Sequence, residues 1–348
     1  MAYTDIDDPS VYFNTLLYTG NGASSHAISG VGFQPDWTWN KNRSSAVNHA
    51  LTDSVRGAPK RLMSQSDEAE INQTTGLLSF NSDGFTVGSD SGYNGNGNSM
   101  VSWNWKAGTS FTNDASSTSI GSIDSAGSVS DVSGFSIVSF TGTGSNGTIK
   151  HGLSTAPSMV IIKRRDADND WRVGSSALTS FVKHVNLNTT AAESDLAAAF
   201  NSTGPTTSVF SVGTSVSTNA DGGTYIAYCF ANKQGYLKVG SYKGNGSANG
   251  AFIYTGFKPA WLLAKKSSAT ADWFLIDNKR STINPTNHQI EANSDAAEDA
   301  SGRFDFLSNG FKCVSNSTGS NGSGTTYIFM AFAESPFVNS NGVPCNAR

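Results

Sequence analysis

Apolar and polar positions alternate along this chain in short runs bounded by Gly, Asn, Asp and Ser, the two-residue period of strands and not the 3.6-residue period of helices. In Tyr225-Ile-Ala-Tyr-Cys-Phe230 both faces of such a run are apolar, which predicts a strand lying between two layers. Asp83-Gly84, Asn245-Gly246, Asn309-Gly310 and Asn321-Gly322 fall at hairpin spacing. The best stretch for a short helix is 191–200, AAESDLAAAF.

The pattern repeats three times. An aromatic residue followed by Gly-x-Gly stands in LLYTGNG (16–22), VSFTGTG (138–144) and GSYKGNG (240–246). An apolar run closed by lysine follows: GFQPDWTWNK (32–41), GLSTAPSMVIIK (152–163) and GFKPAWLLAK (256–265). Then come Ala69-Glu70, Ala192-Glu193 and Ala297-Glu298, a strand-like run before or across a glycine turn (77–87, 208–213 and 304–314), and the closing strands SMVSWNWKA (99–107), TYIAYCFA (224–231) and TYIFMAFA (326–333). Five landmarks in one order point to tandem copies of one unit. The expected fold is all-β, three tandem antiparallel β-sandwich units of jelly-roll-like type, at 16–107, 135–235 and 236–337. Residues 108–134, rich in serine and glycine, read as a flexible linker or extended arm, 1–15 as a docking arm without a core of its own, and 338–348 as a C-terminal tail.

Composition narrows the function. Charged residues make up 14% of the chain and the net charge is −4, so no basic patch is available for phosphate backbones or anionic lipid, and nucleic acid and membrane partners are disfavoured. The N-terminus lacks the basic and apolar regions of an export signal, which predicts synthesis in the cytosol. Cys229, Cys313 and Cys345 are odd in number and widely spaced, which reads as free thiols.

The segments YTDIDDPSVYF, GFQPDW, GFKPAWLLAKK, TYIAYCFA and TYIFMAFAESPF resemble a family of repeated structural proteins of tailed, often marine, bacteriophages. The resemblance covers nearly the whole chain. It implies a virion component assembled in the host cytoplasm, either a capsid decoration or a short tail-fibre protein, with residues 1–15 docking on the particle, other virion proteins and copies of itself as partners, and no catalytic residues to carry over.

Gly142, Gly144 and Gly147 satisfy G-x-G-x-x-G, but the third glycine does not recur in copy one and no helix pattern follows, so the glycines read as turn positions. Asp166, Asp168 and Asp170 open like a calcium loop, yet Trp171 stands where the loop needs glycine and Ala177 where it needs glutamate, so a hairpin tip is preferred to a cation site. Glu70, Glu193 and Glu298 recur once per copy, which favours architecture over catalysis, and His26, His49, His151, His184 and His288 lie near no nucleophile motif. No cofactor, metal site or catalytic residue is assigned. Lys41, Lys163 and Lys265 are expected to pair with the recurring glutamates or to keep a sheet edge soluble. Trp37 and Trp261, like Trp171 and Trp273, align in core positions, leaving Trp39, Trp103 and Trp105 as candidates for an exposed glycan platform or an interface, although core packing is preferred to glycan stacking even there. The reading is a non-enzymatic structural protein, with a host-glycan adhesin as first alternative and a polysaccharide-degrading tail enzyme as second.

Overall fold

In a computed structural model, which describes residues 3–345, the regular structure is overwhelmingly strand, organised as several antiparallel sheets. Four strands recur in one spatial order in each repeat. An opening strand (Phe13–Thr19, Phe135–Thr141, Leu237–Lys243) pairs with the closing strand (Ser99–Trp105, Thr224–Phe230, Thr326–Pro336). The closing strand pairs in turn with the lysine-bearing strand (Trp37–Asn42, Met159–Arg164, Phe257–Lys266), and that with a fourth (Ala50–Asp53, Arg172–Ser175, Trp273–Asp277). Register therefore makes Trp37, Met159 and Trp261 equivalent, facing Trp105, Phe230 and Phe332 on the closing strands.

Period-two alternation would allow each repeat its own core, as beads. Instead the inner faces of all three meet, and one continuous buried cluster contains Trp37, Trp105, Phe135, Phe230, Trp261 and Phe332. Ring centroids of Trp105 and Phe332 lie 5.8 Å apart and those of Phe230 and Phe332 6.1 Å apart. Each such ring removes roughly 150–250 Å² from water, an upper estimate of about 4–6 kcal/mol at roughly 25 cal/mol/Å². Smaller cores remain in repeat one, around Phe85 and Tyr93, and in repeat two, around Phe140 and Phe210.

Three segments depart from expectation. The stretch expected as a linker is structured: Thr109–Asn113 and Ser125–Ser130 form a ladder that extends the sheet of repeat two beyond its opening strand, with a one-turn helix, Ala115–Thr118, capped by Asp114 between them. Small polar side chains suffice because main-chain pairing with a preformed edge holds the strand in place. The N-terminal arm does not reach outward; Ile6 and Phe13 are buried, Phe13 stacks on Phe332 at 4.9 Å and Tyr3 Oη donates to Gly256 O at 2.8 Å, fastening the arm to repeat three, while Thr4 Oγ1 donates to Gln234 O at the end of repeat two. Within 191–200 the helix is limited to Ala197–Phe200.

The Gly-x-Gly landmark has a steric origin. A Cβ on Gly20, Gly142 or Gly244 would lie 2.2–2.4 Å from the carbonyl oxygen of Gly95, Ala220 or Gly322. The second glycine, Gly22, Gly144 or Gly246, takes φ of 66–71°, the left-handed region. Asn94, Asn219 and Asn321 then pin the loop by accepting from the main-chain N–H of Asn21, Thr143 and Asn245. Turn geometry therefore accounts for Gly142 and Gly144, whereas Gly147 opens the strand Gly147–Lys150, where a Cβ would lie 2.6 Å from Ile123 Cδ1.

Candidate functional site

The chemistry-bearing residues gather at the seams where repeats meet. Each recurring lysine is fully buried and crosses a seam. Lys41 Nζ donates to Asp295 O of repeat three at 3.0 Å, Lys163 Nζ to Asp67 O of repeat one at 3.0 Å, and Lys265 Nζ to Thr190 O of repeat two at 3.2 Å. The direction is cyclic, one to three, two to one, three to two. Burial pushes all three amines down to about 8. They neither blunt an edge nor pair with the glutamates, contrary to expectation; their ammonium donors tie main-chain carbonyls across the seams, and two of these, Asp67 O and Thr190 O, also accept from the N–H groups of Asn169 and Ala271.

A second ring runs parallel. Trp171 Nε1 donates to Met63 O at 2.9 Å and Trp273 Nε1 to Asn186 O at 2.8 Å, again two to one and three to two. In repeat one the equivalent position is His49, at the start of the fourth strand, whose Nε2 lies 3.1 Å from both Glu291 O and Ser294 O. Trp39 Nε1 donates to His49 Nδ1 at 2.8 Å. This assigns the neutral Nε2–H tautomer, with Nδ1 as acceptor. Burial, then the nearby Lys41 charge, pushes the imidazole down to about 3.

The recurring glutamates close the third ring. Main-chain N–H groups of Glu70, Glu193 and Glu298 donate across the seams to Arg165 O, Ser267 O and Arg43 O. Two seams add charge. Between repeats one and two, Arg165 grips Glu70 with two bonds of 3.0 Å, Arg56 reaches Glu70 at 3.1 Å and Asp53 at 2.5 Å, and Tyr228 Oη donates to Asp53 at 2.7 Å. Between repeats three and one, Arg43 grips Glu298 at 2.8 and 2.9 Å, Arg280 reaches Glu298 at 3.0 Å and Asp277 at 2.6 Å, and Trp103 Nε1 donates to Asp277 at 2.9 Å. Burial opposes ionisation of Glu70 and Glu298, but the arginine bonds and charges outweigh it and hold both below the usual carboxylate range. A general acid working near neutrality needs the opposite shift.

Trp39, Trp103 and Trp105 are fully buried, so no sugar ring can stack on them as an exposed platform would require. Trp39 and Trp103 serve the seams, while Trp105 packs edge-on against Trp261 at 5.6 Å in the shared core. Of the aspartates at 166–170, Asp166 accepts from Arg164 and Thr224 N, Asp168 from Ala69 N, and Asp170 from Asn186 and Asn188. Among the described residues no group of three or more His, Cys, Asp or Glu is placed to hold a metal ion. A shallow cavity of about 640 Å³ beside repeat two is lined by hydroxyls, by Ile123 and Phe140, by Asp124, which accepts from Ala115 N–H, and by Arg165, whose guanidinium is already spent on Glu70. Sequence reasoning missed Asp53, Arg56, Asp277, Arg280 and His49. A signal was present: Asp-x-x-Arg begins twelve positions after Lys41 and after Lys265, whereas Ser175 and Leu178 occupy those positions after Lys163.

No helix among the described residues is long and apolar enough to cross a membrane. No curated protein matches the sequence. Residues 8–336, spanning all three repeats and every seam described above, match the family described as a domain of unknown function, DUF7483, and the chain belongs to that family.

Proposed function

We propose that the protein is a non-enzymatic structural component of a bacteriophage particle, of capsid-decoration or short tail-fibre type, built from three β-sandwich-like repeats closed on one another and held on the virion by protein–protein contacts. The observation that carries the reading is the cyclic set of cross-repeat bonds. Lysines, carboxylates, arginines and a histidine, the side chains from which an active site is assembled, are committed to joining repeat to repeat. The placement on a phage rests on the sequence resemblance. The glycan-binding alternative drew on Trp39, Trp103 and Trp105, and their burial removes the platform it called for.

Immunogold electron microscopy of purified particles tests this. A regular array on the capsid supports decoration and label at the tail tip supports the fibre type. Absence of the protein from washed particles, or release of reducing sugar from host polysaccharide by the purified chain, would overturn the reading.

A further inference from the structure

Repeats two and three differ at one edge of the sheet. In repeat two, residues 122–130 fill the gap between the opening strand Phe135–Thr141 and the strand Gly147–Lys150. Ser122 and Ile123 N–H donate to Thr148 O at 2.8 and 3.1 Å, and Ser122 Oγ accepts from Thr148 N at 2.9 Å. Ile123 bridges Ile149 and is buried with Phe140 and Ile149, after which Ser125–Ser130 pairs with the opening strand.

In repeat three the corresponding strands, Leu237–Lys243 and Phe252–Tyr254, are the two ends of a single eight-stranded sheet. They face each other across an open cavity of about 420 Å³, and among the described residues no strand runs between them. Register fixes the correspondence: Ile253 opposite Phe311 matches Ile149 opposite Phe210, and Tyr242 stacked on Tyr327 at 4.9 Å matches Phe140 stacked on Tyr225 at 5.1 Å. Phe252 and Tyr254 flank the gap, 48% and 55% exposed. The early part of the edge is already occupied, since Leu237 bridges Lys233 and the Asn232 amide bonds both N–H and C=O of Val239. The open length begins at Ser241, the counterpart of Ser139, so it corresponds to Ser122–Ala126 of the filled gap.

Charge points the same way. Lys243 lies on the open length of the edge strand and enters no ion pair among the described residues. The filling segment of repeat two carries Asp124 and is followed by Asp131. An edge strand with unpaired main-chain groups is a template for strand addition.

The geometry points to this gap as a strand acceptor for a second polypeptide: an extended, acidic, Ser/Gly/Ala-rich segment that places one β-branched side chain beside Ile253, as Ile123 lies beside Ile149. It deepens the reading of a protein held by protein contacts, though the acceptor exists whether or not the host particle is a phage.

The test uses the full chain and a fluorescent synthetic peptide of its own residues 120–131, with fluorescence anisotropy as readout. Saturable one-to-one binding is expected, weakened at least tenfold by Phe252→Glu, by Ser241→Pro, and by aspartate in place of isoleucine at position 123 of the peptide. Phe252 is half exposed, so its variant keeps the fold and decides the matter even where the proline variant does not fold. No binding at millimolar peptide, or binding that Phe252→Glu leaves unchanged, overturns the inference. Neither result bears on whether the chain is found in purified particles, so the two proposals fail separately.

Discussion

Two of the three seams hold a buried arginine–carboxylate cluster and the third does not. Where Asp53, Arg56, Arg165 and Tyr228 meet Glu70, and where Asp277, Arg280, Arg43 and Trp103 meet Glu298, the seam between repeats two and three has Ser175, Leu178, Ser267 and Met330 at the equivalent positions, and the Glu193 carboxylate accepts from Thr179 Oγ1 of its own repeat at 2.6 Å. Ser175 and Leu178 are buried in this arrangement as their charged counterparts are in the others. What all three share is the frame: lysine to carbonyl, indole or imidazole to carbonyl, and glutamate N–H to carbonyl. The comparison separates two jobs. The frame ties main-chain groups together across every seam, while the ion cluster is one of two interchangeable fillings. A buried ion pair gains Coulomb energy but gives up hydration of similar size, so replacing it by apolar groups costs little, whereas breaking it costs much.

The largest effect follows from breaking a cluster by one residue. Arg56→Leu copies the apolar seam at a single position and leaves Asp53 and Glu70 buried without their shared cation. A loss of about 3–5 kcal/mol is expected, read as a fall in the denaturant midpoint, with Arg280→Leu behaving alike. A loss under about 1 kcal/mol for either would show that the clusters do not hold the charged seams.

The frame is sharpened next through pH. His49 replaces the indole found in the other repeats and titrates where they cannot. In the unfolded chain an imidazole takes up its proton near 6.5, whereas folded His49 resists until about 3, so between those values the unfolded state binds more protons and stability falls as pH falls. From pH 6.5 to 4.5 this removes about 2–3 kcal/mol, at about 1.36 kcal/mol per unit. His49→Phe should be less stable at pH 7, because Trp39 Nε1 and Glu291 O lose their partner, yet should lose less on acidification. Parallel stability–pH curves for the two proteins would contradict the assigned role.

The strand pattern, the order of landmarks that a recurring four-strand pairing follows, and the glycine turns were legible because local rules specify them: period two, Asn-Gly hairpins, and a carbonyl that forbids a Cβ. The closure of the repeats on one another was not, since a strand with two apolar faces looks the same whether its second layer belongs to its own repeat or to the next. That is why Trp39, Trp103 and Trp105 could be taken for surface aromatics and Lys41, Lys163 and Lys265 for edge charges. The serine-rich stretch 108–134 was misread for a related reason. Its strands are held by main-chain pairing to Phe135–Thr141, and main-chain pairing leaves no trace in hydropathy.

The smallest effect is expected from the largest number of changes, and it is the outcome that tests the comparison most directly. Asp53→Ser, Arg56→Leu, Glu70→Gln, Arg165→Ser and Tyr228→Phe together remove the arginine–carboxylate cluster from the seam between repeats one and two while keeping the ring of residue 228 stacked on Trp37, where the centroids lie 4.3 Å apart. The carbonyl bond of Lys163 and the main-chain bond from residue 70 to Arg165 O do not depend on the exchanged side chains. If the frame carries the seam, the fivefold variant should lie within about 1 kcal/mol of the parent although Arg56→Leu alone loses several times that, a non-additivity that coupled neighbours are known to give. Its unfolding should also lose the part of the acid sensitivity that comes from Glu70. That carboxyl is held low in the folded chain, so its contribution is present above its unfolded value near 4.5 and is lost as pH falls through the lower folded one. A fivefold variant as unstable as the single one would mean that the apolar seam between repeats two and three is held by something other than the shared frame, and that the two kinds of seam are not alternatives.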